Sequence, residues 1–308
     1  MDSFDFLTEI PALSESGNIP VYYTKKYLSQ HESDLSSFCA IDRTTKQLNC
    51  AIHFQISGKK ATSLISAPFG GIYFYQTTNN TPIDKFLNYV IDQLKKMGIS
   101  QIMIKSAPPF YGLNNFDEAS IFYDKHFSIH STDINHHIDI NQSALIDHIS
   151  PMQKRRLKKC MTSHFLFKKE KESDLDRIFK FISTCRKDRN HTLSMSFDQI
   201  QSAFDLLPDQ YLIFSCYHNG ILAGATICVI VNEKVMYNFL PASAKSFDSY
   251  SPMVFLISNI YQYCQEQQFE VLDLGTSMLN NEANKKLIAF KERMGGVQTE
   301  RFCYQMNL

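Results

Sequence analysis

The chain has 308 residues, more than one domain usually contains, and this length predicts two units of about 150 residues each. Apolar residues make up 44% of the sequence and aromatic residues 13%, which is typical of a packed α/β protein and excludes a disordered chain. Lys plus Arg and Asp plus Glu both count 31, so no global charge favours DNA or an anionic membrane as a partner.

The N-terminus is acidic, and the longest apolar run, Ile221 to Val231, is too short to span a bilayer. The eight cysteines include no Cys-x-x-Cys motif, so we expect reduced thiols. His126, His130, His136 and His137 have no Cys or carboxylate at metal-site spacing and are interpreted as surface or packing residues. We therefore expect a cytoplasmic protein without membrane insertion and without a metal.

In chain order, the first predicted elements are three short strands, followed by a helix that opens at Pro82 and then a further strand. The helix places five apolar side chains on one face: Phe86, Leu87, Val90, Ile91 and Leu94. The four strands are Ser37 to Ile41, Asn49 to Ile56, Ala61 to Ser66 and Ile99 to Lys105. His136 to Gln153 is interpreted as a bridge between two units.

The second half begins with a strand and two helices that have candidate N-caps at Ser173 and Ser196, the latter with Gln199 completing a capping box. A strand meander follows, with a hairpin signal at Asn219-Gly220. A helix from Pro252, a strand, a last helix and a closing strand complete the prediction. The first strand is Phe165 to Lys169, and the two helices are Asp174 to Lys187 and Phe197 to Leu206. The strands of the meander are Tyr211 to Tyr217, Leu222 to Val231 and Lys234 to Leu240. After the helix from Pro252 come the strand Phe269 to Leu274, the helix Asn284 to Arg293 and the strand Val297 to Tyr304.

The two helices that open with proline are related by a constant offset of 170 residues, and the strand after each helix keeps the same offset. The apolar positions of the second helix, Leu256, Ile257, Ile260, Tyr261 and Cys264, coincide with those of the first. The element order β, α, α, β, β, β, α, β resembles that of an N-acetyltransferase (GNAT) domain. We therefore expect an α/β (α+β) fold of two tandem GNAT-like domains, residues 1–140 and 141–308, each a mixed twisted sheet flanked by helices.

Three stretches together resemble the FemAB peptidoglycan aminoacyltransferases and related tandem GNAT-fold proteins. They are Ala67-Pro68-Phe69-Gly70-Gly71, the run from Gln153 to Lys159, and Leu272-Asp273-Leu274-Gly275-Thr276 followed by Phe290 to Gly296. The resemblance implies transfer of an aminoacyl or acyl group to an amine. The donor would be aminoacyl-tRNA or acyl-CoA, and the acceptor a small or nucleotide-linked molecule such as a cell-wall precursor.

The resemblance places the Phe-Lys pair of the family's C-terminal motif on Phe290 and Lys291. Lys291 would stabilise the tetrahedral oxyanion or contact the donor's terminal nucleotide, since acyl transfer develops negative charge on a carbonyl oxygen. The alternative is a solvated charge on the last helix. Tyr237 is a candidate donor to the leaving group, or a core residue.

Asp273 interrupts an apolar strand, where a carboxylate is costly unless it is bonded. It is a candidate general base, or it anchors the following loop through backbone N–H groups.

The segment from Lys154 to Lys159, called the basic run below, contains five cations within six residues. Its residues Arg155, Arg156 and Lys158 are candidates for binding phosphates of a nucleotide-linked substrate or tRNA. The alternative is a solvated helix face. Thr276, Gly70 and Gly71 are candidate substrate contacts from the shared motifs, although a proline-glycine turn also ends a strand without any function.

Both copies depart from acetyl-CoA-using members, which cradle a pyrophosphate with a glycine loop before the central helix. Gln76 to Thr81 and Ser243 to Ser251 occupy that position and contain no glycine. The long coiled-coil arm of FemAB enzymes is also missing. Two hypotheses follow: an acyltransferase that uses a cleft between the units, or a non-catalytic GNAT-fold protein that binds a phosphorylated or nucleotide-linked ligand.

Overall fold

The computed structural model describes residues 3–10, 18–75, 82–113, 116–279 and 281–308. The chain divides into two compact units, one of Met1–Ile134 with Thr299–Leu308 and one of Asn135–Gln298. The division therefore falls earlier than the expected boundary at residue 140, and the last ten residues join the first unit. The segment Gln76 to Thr81, where the first glycine loop would lie, is outside the described residues.

The first part of the chain contains short strands and three helices, with a long strand at its end. In order they are β1 (Phe4–Leu7), α1 (Lys25–Leu28), β2 (Leu35–Asp42), β3 (Leu48–Ser57), β4 (Lys60–Ser63), β5 (Tyr73–Phe74), α2 (Ile83–Lys96), β6 (Gln101–Lys105), α3 (Glu118–Asp124) and β7 (Ser128–Asp139).

The second part is richer in helix. Its elements are α4 (Leu145–His148), α5 (Pro151–Thr162), β8 (Leu166–Lys169), α6 (Leu175–Asp188), α7 (Phe197–Leu206), β9 (Tyr211–His218), β10 (Ile221–Ile230), β11 (Val235–Asn238), β12 (Ala242–Ser243), α8 (Pro252–Glu266), β13 (Val271–Thr276), β14 (Met278–Leu279), β15 (Glu282–Ala283), α9 (Lys285–Arg293) and β16 (Val297–Asn307).

In the first unit the strands follow the order β1, β2, β3, β4, β6, β16, with β5 beside β3. Strands β4 and β6 are parallel, as a crossover through helix α2 requires. Strand β16 then pairs antiparallel with β6, from Cys303 opposite Lys105 to Asn307 opposite Gln101. The strand that completes this sheet therefore comes from the end of the sequence.

In the second unit the order is β7, β13, β11, β10, β9, β8, with β12 beside β10. Strands β11 and β13 are parallel around helix α8, which repeats the β4–α2–β6 crossover of the first unit. The end of β7 pairs antiparallel with β13 and places His136 opposite Gly275. Among the described residues, each unit thus contains mixed strands with one parallel pair, and the expected α/β fold class is confirmed.

The two central helices bury the faces that the sequence predicts. The apolar residues of α2 belong to the core of the first unit and those of α8 to the core of the second. Helix α7 begins with the expected capping box of Ser196 and Gln199. The expected N-cap at Ser173 is wrong, since α6 begins after Asp174 and that residue makes no side-chain cap bond.

Strand β7 was not expected, because the sequence from His136 was interpreted as a bridge. The strand runs from Ser128 to Asp139, and its buried residues include Asn135, His136 and His137. Helices do begin after Asn141 as expected, at Leu145 and Pro151. The bridge is therefore shorter than predicted, and His136 and His137 lie in the sheet.

Candidate active site

Near its end, strand β13 has a β-bulge between Asp273 and Gly275, where a turn closed by the Asp273 side chain organises the candidate site of the second unit. Gly275 has a φ of +74°, a left-handed conformation that glycine adopts without strain. The Asp273 carboxylate, which is buried, accepts a hydrogen bond from the Gly275 N–H at 2.6 Å. This bond fixes the directions in which the Gly275 and Thr276 carbonyl groups point.

Those two carbonyl groups hold Lys291. Helix α9 carries this lysine and is capped by Asn284, whose side chain accepts the Leu287 N–H. Lys291 is 5% exposed, and its Nζ donates to Gly275 O at 2.7 Å and to Thr276 O at 2.8 Å. Burial lowers the pKa of Lys291 to about 7, and the charge of Asp273 opposes that shift. The ammonium group is therefore fixed and desolvated, and the alternative of a solvated helix charge is wrong.

A tyrosine borders the same turn. Tyr237 lies opposite Asp273 in the parallel β11–β13 pair. A Cβ atom built on Gly275 would lie 3.0 Å from Tyr237 Cε2 and 3.3 Å from its hydroxyl oxygen. The phenol therefore lies against the turn that holds Lys291, and the structure brings Lys291, Asp273 and Tyr237 together.

His136 and Ser277 belong to this cluster, although the sequence did not single them out for it. Both side chains are buried, and His136 Nδ1 lies 3.0 Å from Ser277 Oγ. Burial, Lys291 and His137 lower the pKa of His136 to about 4. No spacing rule connects His136 with Lys291, because strand pairing is what places the histidine beside the turn.

Phe290 and Thr276 flank the cluster. Phe290 is half-buried and packs against the core of the second unit. Thr276 is exposed at the end of β13, and its contribution to the cluster is the carbonyl group that binds Lys291.

The basic run forms helix α5 and lies apart from these contacts. Arg155 and Lys158 are exposed, while Arg156 is half-buried and donates to Gln153 Oε1 at 3.3 Å. In the described part of the chain, no hydrogen bond or ion pair joins these three cations to Lys291. Their phosphate-binding role stays a prediction.

Gly70 and Gly71 are buried in the first unit, and their backbone groups are used by the fold. Gly70 N donates to Lys105 O at 2.8 Å, and a Cβ atom at Gly70 would lie 2.7 Å from Leu64 Cβ. Gly71 O accepts a hydrogen bond from the Tyr23 hydroxyl at 3.0 Å. These contacts favour the interpretation of the two glycines as a close-packed turn.

Three further findings concern the cysteines, metal ligands and membrane spans that the sequence analysis considered. All eight cysteines are free, and seven of them are buried. Within the described ranges, no three His, Cys, Asp or Glu side chains are grouped so that they could hold a metal ion. None of the helices in those ranges is both long and apolar enough to cross a membrane.

Comparison with known proteins supports the assignment of the fold. Residues 152–286 match the family model described as an acetyltransferase (GNAT) domain. No protein of curated function matches the chain in sequence.

Several solved structures share the fold. FemX superposes with a TM-score of 0.70 and 11% identity, over 94% of this chain and 93% of FemX. The C-terminal domain of a putative lysylphosphatidylglycerol synthetase from Agrobacterium fabrum gives a TM-score of 0.60 and 14% identity, over 84% of this chain and 81% of that domain. A tandem GNAT protein from the clavulanic acid pathway gives 0.52 and 10% identity, over 89% of this chain and 82% of that protein. The chain therefore has the tandem GNAT fold of the FemAB-like acyltransferases that its motifs resemble.

Proposed function

We propose that this protein is a FemAB-like acyl- or aminoacyltransferase that forms an amide on an amine acceptor. The observation that supports this most strongly is Lys291, a buried ammonium group held by two backbone carbonyls at 2.7 and 2.8 Å. Because a charged lysine has three N–H groups, one remains for a substrate atom. A fixed donor in a desolvated site suits the oxyanion of acyl transfer.

The proposed reaction joins the nitrogen of a neutral amine to the acyl carbon of the donor. The carbonyl oxygen becomes an oxyanion that accepts the third N–H of Lys291. When the intermediate collapses, the bond to the ester oxygen or thioester sulfur breaks. Tyr237 is the proposed donor of a proton to that departing atom, and the surplus proton of the nitrogen then restores the Tyr237 hydroxyl.

Asp273 takes a positioning role in this proposal. Its carboxylate already accepts the Gly275 N–H, so it supports the turn whose carbonyls orient Lys291. This agrees with the loop-anchoring alternative for Asp273 better than with a general base.

The donor and acceptor are proposed from the resemblance to the FemAB family, which implies aminoacyl-tRNA or acyl-CoA as donor and a nucleotide-linked cell-wall precursor as acceptor. The name of one structural neighbour, a putative lysylphosphatidylglycerol synthetase, suggests a lipid acceptor instead. We place the nucleotide-linked acceptor first because α5 offers Arg155, Arg156 and Lys158 for phosphate groups.

The test is amide formation with a panel of aminoacyl-tRNA and acyl-CoA donors and amine acceptors. We expect Lys291→Met to lower kcat/KM roughly 100- to 1000-fold, the usual effect of removing an oxyanion donor. Lys105→Met is the matched control, because Lys105 Nζ donates to Leu64 O, Ile65 O and Ala67 O at 2.7, 3.1 and 2.6 Å and has no N–H left for a substrate. Equal turnover by wild type and Lys291→Met would refute the assigned role.

A non-catalytic binding function is the second candidate, and the region before helix α8 favours it. Arg186 donates to Pro241 O at 3.2 Å and Arg189 to Ser243 O at 3.4 Å. These guanidinium groups therefore border the segment from Ser243 to Ser251, where acetyl-CoA-using members have their glycine loop. Guanidinium groups recognise phosphates. Thermal stabilisation by a nucleotide-linked compound, without turnover of any donor in the panel, would support this candidate instead.

A further inference from the structure

His136 is a fully buried polar side chain that the reaction described above does not use. It lies on strand β7 opposite Gly275, in the pair of strands that carries the Lys291-binding turn. Its exposed fraction is 0%. We expect each nitrogen of a buried imidazole ring to have a hydrogen-bond partner, because nearly all buried polar groups are hydrogen-bonded.

One ring nitrogen is bonded and the other is not. Nδ1 lies 3.0 Å from Ser277 Oγ, and Ser277 is itself fully buried. Nε2 has no hydrogen-bond partner among the residues that the structure describes. If the serine hydroxyl donates to Nδ1, the proton of the neutral ring must reside on Nε2, which then presents an unused N–H.

The ring is neutral at physiological pH, since burial, the Lys291 ammonium and His137 hold the pKa of His136 near 4. His136 and Lys291 border the same turn, the histidine through Ser277 and the lysine through the carbonyls of Gly275 and Thr276. A neutral N–H donor and a cationic N–H donor are therefore both anchored to the segment from Gly275 to Ser277.

We propose that His136 is a second oxyanion donor, which gives its Nε2–H to the carbonyl oxygen contacted by Lys291 while Ser277 holds the ring tautomer. This inference rests on the proposed acyl transfer. His136 neither gains nor loses a proton, so the bonds formed and broken are those already described. Preorganised pairs of N–H donors are the usual means of stabilising such an oxygen.

The first measurement is independent of activity. The ¹⁵N chemical shifts of the His136 ring, assigned by comparison with His136→Gln, report which nitrogen carries the proton in the folded protein. We expect the Nε2–H tautomer in wild type and a mixture of tautomers in Ser277→Ala. A proton on Nδ1 in wild type would overturn the proposal, whatever the enzyme does.

The second measurement is steady-state kinetics with the donor and acceptor that wild type uses. We expect His136→Leu to lower kcat roughly 100-fold with little change in KM, because the lost bond forms only in the transition state. His136→Gln keeps a side-chain N–H and should retain more activity than His136→Leu. An unchanged kcat in folded His136→Leu would overturn the proposal.

His53 provides the matched control. This histidine of the first unit is also 0% exposed, its Nδ1 lies 2.9 Å from Ser37 Oγ, and its Nε2 likewise has no partner among described residues. It does not neighbour Lys291 in sequence or in the strand pairs described, and burial alone lowers its pKa. We expect His53→Leu to change stability and to leave kcat unaltered. If wild type transfers no acyl group from any donor substrate, the proposed function fails. The tautomer measurement alone then decides whether His136 offers an N–H for hydrogen bonding.

Discussion

Lys291 and Lys105 both donate hydrogen bonds to backbone carbonyl groups. They differ in how many of their N–H groups remain available for a substrate. Lys105 donates to three carbonyls of the segment from Leu64 to Ala67, whereas Lys291 donates to two. Burial lowers the pKa of both, Lys105 to about 8 and Lys291 to about 7. A lowered pKa therefore does not by itself identify a reactive lysine, and the remaining N–H distinguishes Lys291.

The pKa of Lys291 leads to a prediction about stability. Its ordinary value is 10.5 and its value in the folded chain is about 7, so between these pH values the unfolded chain keeps a proton that the folded chain has lost. The free energy of unfolding must then rise with pH across this window, by at most about 1.4 kcal/mol per pH unit. Below pH 7 both states hold the proton, and the full cost of burying the ammonium is present.

We expect the unfolding free energy of wild type minus that of Lys291→Met to increase steadily from pH 7 to pH 9 in urea titrations. Lys286→Met, which removes an exposed lysine from the same helix, controls for the loss of one charge. A difference that stays constant over this range would contradict the burial of a charged Lys291.

The sequence could not show that Lys291 is the buried cation of helix α9. Lys285, Lys286 and Arg293 share this short helix, and spacing does not rank them. What selects Lys291 is contact with carbonyl groups of a turn that precedes the helix in the chain. The family motif made Lys291 a candidate, and Asp273 became one because a carboxylate interrupts an apolar strand. His136 and Ser277 needed the strand pairing to be known.

At the scale of elements, the turn at the end of strand β13 depends on a glycine for two separate reasons. Gly275 has a φ of +74°, and a Cβ atom there would make a tight contact with Tyr237, 3.0 Å from Cε2. Gly220 offers a comparison, since its φ is +76° but nothing lies within 4 Å of its Cβ position.

We therefore expect Gly275→Ala to destabilise the protein by about 1–3 kcal/mol and to reduce activity, because the tyrosine ring and the Lys291 carbonyls must shift. Gly220→Ala should cost only the backbone strain, about 1 kcal/mol, without loss of activity. Urea unfolding and turnover of both variants measure the two effects. Equal behaviour of the two variants would show that the Tyr237 contact is unimportant.

Elements with strong periodicity were predictable, and the element that lines the site was not. Helices α2, α7 and α8 were recognised because their apolar residues recur at helical spacing or because a capping box marks their start. Strand β7 carries Asn135, His136 and His137 where a strand usually has apolar residues. Such local disagreement with strand propensity is typical of functional positions.

At the scale of the whole molecule, the units are not contiguous in sequence. A repeat at a constant offset predicts two consecutive domains, and it located the two helices and the strands β6 and β13 correctly. It could not predict that strand β16 pairs with β6, because partner choice between similar strands is a tertiary effect.

A truncation tests this arrangement. Removing Val297–Leu308 should abolish amide protection in strand β6 of the first unit, while helix α8 in the core of the second unit stays protected. Hydrogen exchange followed by mass spectrometry resolves the two regions. Removing only Asn307–Leu308 leaves most of the β16 pairs and serves as the control. Loss of protection in α8 with β6 unaffected would contradict the division into units.

The pairing of β16 with β6 also constrains the order of events during synthesis. About two hundred residues separate the paired strands. Strand β6 therefore has no β16 partner until nearly all of the chain described here has been translated. During that interval the edge of β6 is open to other chains, a state that favours aggregation or binding by chaperones. The second unit, whose strands β8 to β13 are made consecutively, can complete more of its sheet first.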